Sequence, residues 1–154
     1  TFTSNWNDWT KFSVSGAQVW TLNTTFGNPG SCALMSGFSG GVNNVNEDWL
    51  ISPAINLSSV STATLTFDNA SRFAGNLLEV YVSTNYNSGA PNTATWTQIT
   101  GFTLDTNTGS YIWTNSGGIN ISSYTGSSNF RVAFRYTSTA SASRTWEIDN
   151  VKVQ

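Results

Sequence analysis

The run Phe130-Arg131-Val132-Ala133-Phe134-Arg135-Tyr136 sets Phe130, Val132, Phe134 and Tyr136 on one face and Arg131 and Arg135 on the other. That period of two belongs to a half-buried β-strand and to no helix. Ala63-Thr64-Leu65-Thr66-Phe67-Asp68 and Leu78-Glu79-Val80-Tyr81-Val82-Ser83 repeat it, with Ala63, Leu65, Phe67, Leu78, Val80 and Val82 inward. Turn clusters separate such runs: Gly27-Asn28-Pro29-Gly30, Ser39-Gly40-Gly41, Asn87-Ser88-Gly89-Ala90-Pro91, Ser116-Gly117-Gly118 and Thr125-Gly126-Ser127-Ser128. Further strands are expected at Val19 to Asn23, Ala33 to Ser36, Trp49 to Ser52, Thr95 to Ile99, Ile112 to Ser116 and Thr145 to Val153. No stretch longer than about ten residues combines a helical apolar period with caps. Many short strands at this spacing predict an all-β sandwich or barrel, and 154 residues without repeat or linker predict one domain, 1–154.

Composition removes several function classes. Histidine is absent, which excludes Ser-His-Asp and Cys-His chemistry and His-ligated zinc. A single cysteine, Cys32, excludes an internal disulfide; with no partner base in view it reads as a small core filler. A net charge of −2, with Lys11 and Lys152 the only lysines, gives no basic face for nucleic acid. No apolar run approaches the roughly 18 residues of a membrane span. An aromatic content of 14 % argues against disorder. The chain starts at Thr1 without a signal sequence and reads as a processed or excised segment.

The C-terminal strand carries a parity conflict. Trp146 and Ile148 share one face, whereas Val151 and Val153 fall on the other. Either a β-bulge near Asp149-Asn150 shifts the phase, which would re-aim the Asp149 carboxylate, or the strand is buried on both faces.

Three segments carry a family resemblance. They are Gly37 to Gly41 with Asn46-Glu47-Asp48-Trp49-Leu50-Ile51-Ser52-Pro53-Ala54-Ile55-Asn56-Leu57; Ala63 to Ala70 leading through Arg72-Phe73 to Leu78 to Thr84; and Arg135 to Ser138 with Thr145-Trp146-Glu147-Ile148-Asp149-Asn150-Val151-Lys152-Val153. Together they resemble the choice-of-anchor J domains and the related cleaved-adhesin domains of secreted bacterial proteins. The resemblance implies a two-sheet antiparallel jelly-roll β-sandwich, accessory rather than catalytic and secreted or displayed at the cell surface. It also implies covalently attached catalytic or surface domains in the full-length protein, and a bound structural calcium. Calcium takes six to eight oxygen ligands. Glu47, Asp48 and Asp149, helped by Asn46 or Asn150, are the candidate ligands; capping of the turn before Trp49 for Asp48, and an ordinary hydrogen-bonded acid for Asp149, are the alternatives.

Within that frame the expected function is a carbohydrate-binding module, with polysaccharide as the partner. Seven tryptophans exceed what a small β core needs, and an indole face packs on the apolar face of a pyranose. Trp49 and Trp146 read as core, Trp6 and Trp9 as an edge seal, and Trp96, Trp113 and Trp20 as exposed or core with equal weight. A guanidinium fork suits sulfate or carboxylate, so Arg72, Arg135 and Arg144 favour an anionic glycan of the sulfated algal type. The expected ligand-binding set is Arg72, Trp96, Trp113, Arg135, Tyr136 and Arg144, against the alternative that each arginine pairs with a local acid such as Glu79 or Glu147. Two rival functions stay open. A protein-binding adhesin or spacer would spend the aromatics in its core, and a small polysaccharide hydrolase or lyase would set two carboxylates across a cleft.

Overall fold

The computed structural model describes Phe2 and residues 5–154, which form two antiparallel sheets packed face to face, as the jelly-roll expectation requires. The strands in chain order are β1 Thr10–Ser15, β2 Thr21–Gly27, β3 Gly30–Met35, β4 Phe38–Ser39, β5 Val42–Asn43, β6 Asn46–Ile51, β7 Thr64–Arg72, β8 Glu79–Ser83, β9 Thr97–Ile99, β10 Thr114–Asn115, β11 Ile119–Asn120, β12 Arg131–Ser138 and β13 Thr145–Val153. One sheet has the order β1-β6-β12-β8-β9; the other is β10-β7-β13-β3-β2, with β11 also on β7, and β4-β5 is a separate small hairpin. Chain neighbours such as β6 and β7 lie in different sheets, so each sheet is assembled from distant segments. Two single-turn 3₁₀ helices, Pro91–Thr93 and Ser122–Tyr124, are the helical elements among the described residues.

The alternating runs place their apolar positions between the sheets. Leu65, Phe67, Val80, Val82, Val132, Phe134, Trp146 and Ile148 form one core, and the Phe67 ring meets the Phe134 ring edge-on at 5.1 Å across the sandwich. Trp6 and Trp9 close its edge, Trp9 stacking on Phe134 at 6.0 Å. Trp20, whose sequence surroundings left it undecided, is fully buried, and its indole N–H donates to the Asp48 carbonyl. Cys32 is buried too, and burial pushes its thiol up to about 12, so it holds no thiolate at neutral pH.

The parity conflict in β13 is resolved by a bulge. Register with β7 slips between Asp149 and Lys152, Asn150 takes φ +50°, and Val151 and Val153 return to pack on the core. Asp149 stands directly opposite Asp68 of β7.

Candidate functional site: the outer face of the five-stranded sheet

Strand registers build this face row by row. Phe12 lies opposite Trp49, Trp49 opposite Arg135, and Arg135 opposite Glu79, so one row crosses β1, β6, β12 and β8. The next row runs Thr10, Ile51, Ala133, Tyr81 and Gln98 across all five strands. Directly opposed residues share a face, which points these side chains away from the main core. Four rings then gather into a second cluster, in which Trp49 and Tyr86 are buried (7 % and 1 % exposed), as expected of Trp49, while Tyr81 and Trp96 are half-buried. Trp49 contacts Tyr81 at 5.2 Å and Trp96 at 5.4 Å, and Trp96 contacts Tyr86 at 5.3 Å. The Trp96 indole N–H is tied to the Pro91 carbonyl at 2.9 Å, so its ring orientation is fixed while the side chain stays half-buried. A groove of about 440 Å³ runs between β1 and the Ala90-to-Trp96 loop, with Phe12, Val14, Glu47, Trp49, Pro91 and Trp96 on its walls.

The charged centre of this face is Arg135. Its Nε–H donates to Glu47 Oε1 at 3.0 Å and its Nη1–H to Glu79 Oε2 at 2.6 Å, while the guanidinium lies 6.0 Å from the Trp49 ring centroid. Glu47 also accepts the Trp49 indole N–H, and Glu79 the Tyr81 hydroxyl. Arg135 holds the Glu47 carboxyl below the usual glutamate range, and the two acids push the guanidinium higher still. The group of three carries a net charge of −1, and each member keeps part of its side chain in solvent.

The other residues singled out from the sequence are placed elsewhere. Tyr136 follows Arg135 in a strand and so points inward. It is 1 % exposed, accepting the Gly37 N–H at its hydroxyl. Arg144 is enclosed, donating to Ser71 Oγ and lying 5.6 Å from the Trp146 ring. Arg72 is exposed at the end of β7, and Trp113 is half-buried just before β10, both on the opposite sheet. Of the expected set, then, the structure brings Trp96 and Arg135 together. Trp49, Tyr81, Phe12 and the two glutamates complete the face. Their signal was available in the same alternation that put Leu78, Val80 and Val82 inward, because it puts Glu79 and Tyr81 outward.

The three acids expected at a metal do not converge either. Glu47 and Asp48 point to opposite faces of β6, and Asp149 belongs to the other sheet; among the described residues no three acid, Cys or His side chains gather at one point. Asp48 is 1 % exposed with neither carboxylate oxygen hydrogen-bonded among the described residues, and burial lifts its carboxyl to about 6. Asp149 instead faces Asp68 beside the β13 bulge. It accepts the main-chain N–H groups of Phe2, Asn28 and Asn150, and Asp68 accepts the carboxamides of Asn28, Asn115 and Asn150. The Asn28 carbonyl closes this oxygen-rich group against Asn150.

The K1 and K2 cleaved adhesin domains of Lys-gingipain from Porphyromonas gingivalis have similar structures. For K1 the TM-score is 0.64 at 19 % identity over 99 % of this chain and 96 % of that one. For K2 it is 0.65 at 16 % identity over 95 % and 88 %. The carbohydrate-binding module TmCBM61, solved with β-1,4-galactotriose, gives 0.56 at 9 % identity over 97 % and 89 %. At these identities the likeness is one of fold. No curated protein matches the sequence. Residues 7–154 match the family model DUF5017, a domain of unknown function, and the chain belongs to that family.

Proposed function

We propose that the outer face of the five-stranded sheet binds polysaccharide, and that the domain is a non-catalytic module holding a secreted bacterial protein, with its attached catalytic or surface domains, on a glycan. The observation that carries this reading is Trp96, half-buried and seated on the buried Trp49 and Tyr86, facing an open groove with Phe12 on its wall. A pyranose lying along the groove stacks on Trp96 and Phe12, and its hydroxyls meet Glu47 and Asn92 on the walls, Glu47 being held by Arg135. A fold relative solved with a neutral galactan fragment supports the same use of this architecture.

The charge arrangement favours a neutral chain here over the sulfated one expected from the arginine count. Arg135 is already gripped by two carboxylates, and a sulfate approaching it meets a net charge of −1. The same contacts argue against hydrolysis: a general acid needs a raised pKa, and Arg135 lowers that of Glu47. Affinity gel electrophoresis against neutral and anionic polysaccharides at two salt concentrations tests the reading. Retardation by a neutral polymer that is insensitive to salt is expected. Retardation by sulfated polymers alone, weakening with salt, would overturn the choice of ligand; retardation by none would favour a protein-binding adhesin or spacer.

Calcium is proposed at Asp68 and Asp149 together with the Asn28 carbonyl, because carboxylate and carbonyl oxygens are the donor types a hard cation takes; here Asp68 and the Asn28 carbonyl accept the Asn150 amide N–H groups. When bound it would clamp the β2–β3 turn onto the β13 bulge.

A further inference from the structure

At one end of the sandwich the β4–β5 hairpin, the loop after β7 and the loop between β12 and β13 enclose a second cleft, of about 250 Å³. Its walls are Phe38, Asn43, Phe73, Ala74, Ala142 and Ser143. Phe38 and Phe73 are 54 % and 48 % exposed, an unusual state for two large rings facing one cavity. Phe73 holds φ +70°, a conformation that bulky residues rarely adopt and that persists where the surroundings enforce it. They do: its N–H donates to the Thr108 carbonyl at 3.0 Å, and Gly75 approaches so closely that a Cβ there would sit 2.5 Å from the Arg144 main-chain nitrogen. On the far side the Asn43 carboxamide donates to the Ser141 carbonyl at 3.1 Å and ties hairpin to loop. The cleft is therefore built before any ligand arrives, which lowers the cost of binding.

Charge separates this cleft from the platform. No acid lines it. Arg72 does not line it, but its exposed guanidinium lies 4.8 Å from the ring centroid of Phe73, which does, and among the described residues it has no carboxylate within ion-pair distance, unlike Arg135. The volume is below the roughly 300–1,000 Å³ of sites for drug-sized ligands, so it admits one sugar ring rather than a chain. We infer that this cleft is a second glycan site that takes a single anionic pyranose, such as the acidic terminus of a polysaccharide, stacked by Phe38 and Phe73 and neutralised by Arg72. It stands apart from the platform and does not depend on it.

The test is an NMR titration of the ¹⁵N-labelled chain with glucuronate, glucose 6-sulfate and glucose as probes. Saturable amide shifts at Phe38, Asn43, Phe73 and Ser143 are expected with at least one acidic sugar, and binding about tenfold weaker with glucose. A response to one acid identifies the anion as carboxylate or sulfate. Phe73→Ala removes the response, and Arg72→Gln, at an exposed position, erases the preference for acid while the rest of the spectrum stays folded. Absence of shifts at these amides with either acidic sugar, or glucose binding as tightly as both, overturns the inference. Platform binding measured with Phe73→Ala stays unchanged, so failure at one site is distinguishable from failure at the other.

Discussion

Glu147 stands in the middle of the six-stranded sheet, opposite Leu34 on one side and Ala70 on the other, 3 % exposed, with Cys32 and Tyr111 beside it. Burial alone raises its carboxyl from 4.5 to about 7. The folded state therefore keeps a proton that the unfolded chain releases, so this group lowers stability as pH rises from 4.5 towards 7 and its full penalty applies above that. Carrying the shift through the linkage relation gives about 3 kcal/mol of lost stability at pH 8 and roughly 1 kcal/mol at pH 5. Glu147→Gln cannot titrate. Its stability relative to the parent should therefore improve by about 2 kcal/mol between pH 5 and pH 8, or some 4–8 °C in Tm for a chain of this size. Urea unfolding of both proteins across that range measures the difference, and any constant cost of the buried amide cancels. A stability difference that stays flat from pH 5 to pH 8 would refute the reasoning, because it would mean that the carboxyl is ionised in the fold.

Other substitutions probe packing, backbone and metal. Phe67→Ala empties the point where the sheets meet Phe134 and should cost about 3–5 kcal/mol in denaturant unfolding. Gly16 holds φ +93°, and a Cβ there would sit 1.8 Å from Asn46 Oδ1, so Gly16→Ala should lower Tm far more than a surface substitution, by roughly 5 °C or more. If Asp68 and Asp149 hold calcium, a chelator should lower Tm by several degrees and Asp149→Asn should abolish the difference, with elemental analysis reporting loss of the ion.

How much of this was legible in the sequence depends on whether a feature is local. Period-two runs gave β7, β8 and β12, and in β13 the parity of Trp146 against Val151 left two readings, of which the structure shows the bulge at Asp149-Asn150. The first strand was not legible. Thr10–Ser15 is an edge strand exposed at five of its six positions, so no buried alternation marks it. Trp20, in the mixed run Gln18-Val19-Trp20-Thr21, fills the core, where its indole N–H reaches the Asp48 carbonyl of the opposite sheet, a contact no local pattern announces. Alternation shows that Tyr81 and Arg135 point outward, but not that they meet Phe12 and Trp49, because the four come from strands that pair out of chain order. Arg135 and Tyr136, by contrast, could have been separated at once, since adjacent strand residues cannot serve one face.

The central claim is that Trp96 and its neighbours bind glycan, and calorimetric titration of the parent and Trp96→Ala with a polysaccharide that retards the parent tests it most directly. Trp96 packs on Trp49 and Tyr86 but lies outside the main core, so the variant should stay folded while losing roughly 1–3 kcal/mol of stability, which its unfolding curve reports. Its affinity should fall by about 1–2 kcal/mol, roughly ten- to thirtyfold. Equal affinity in the folded variant would contradict the account.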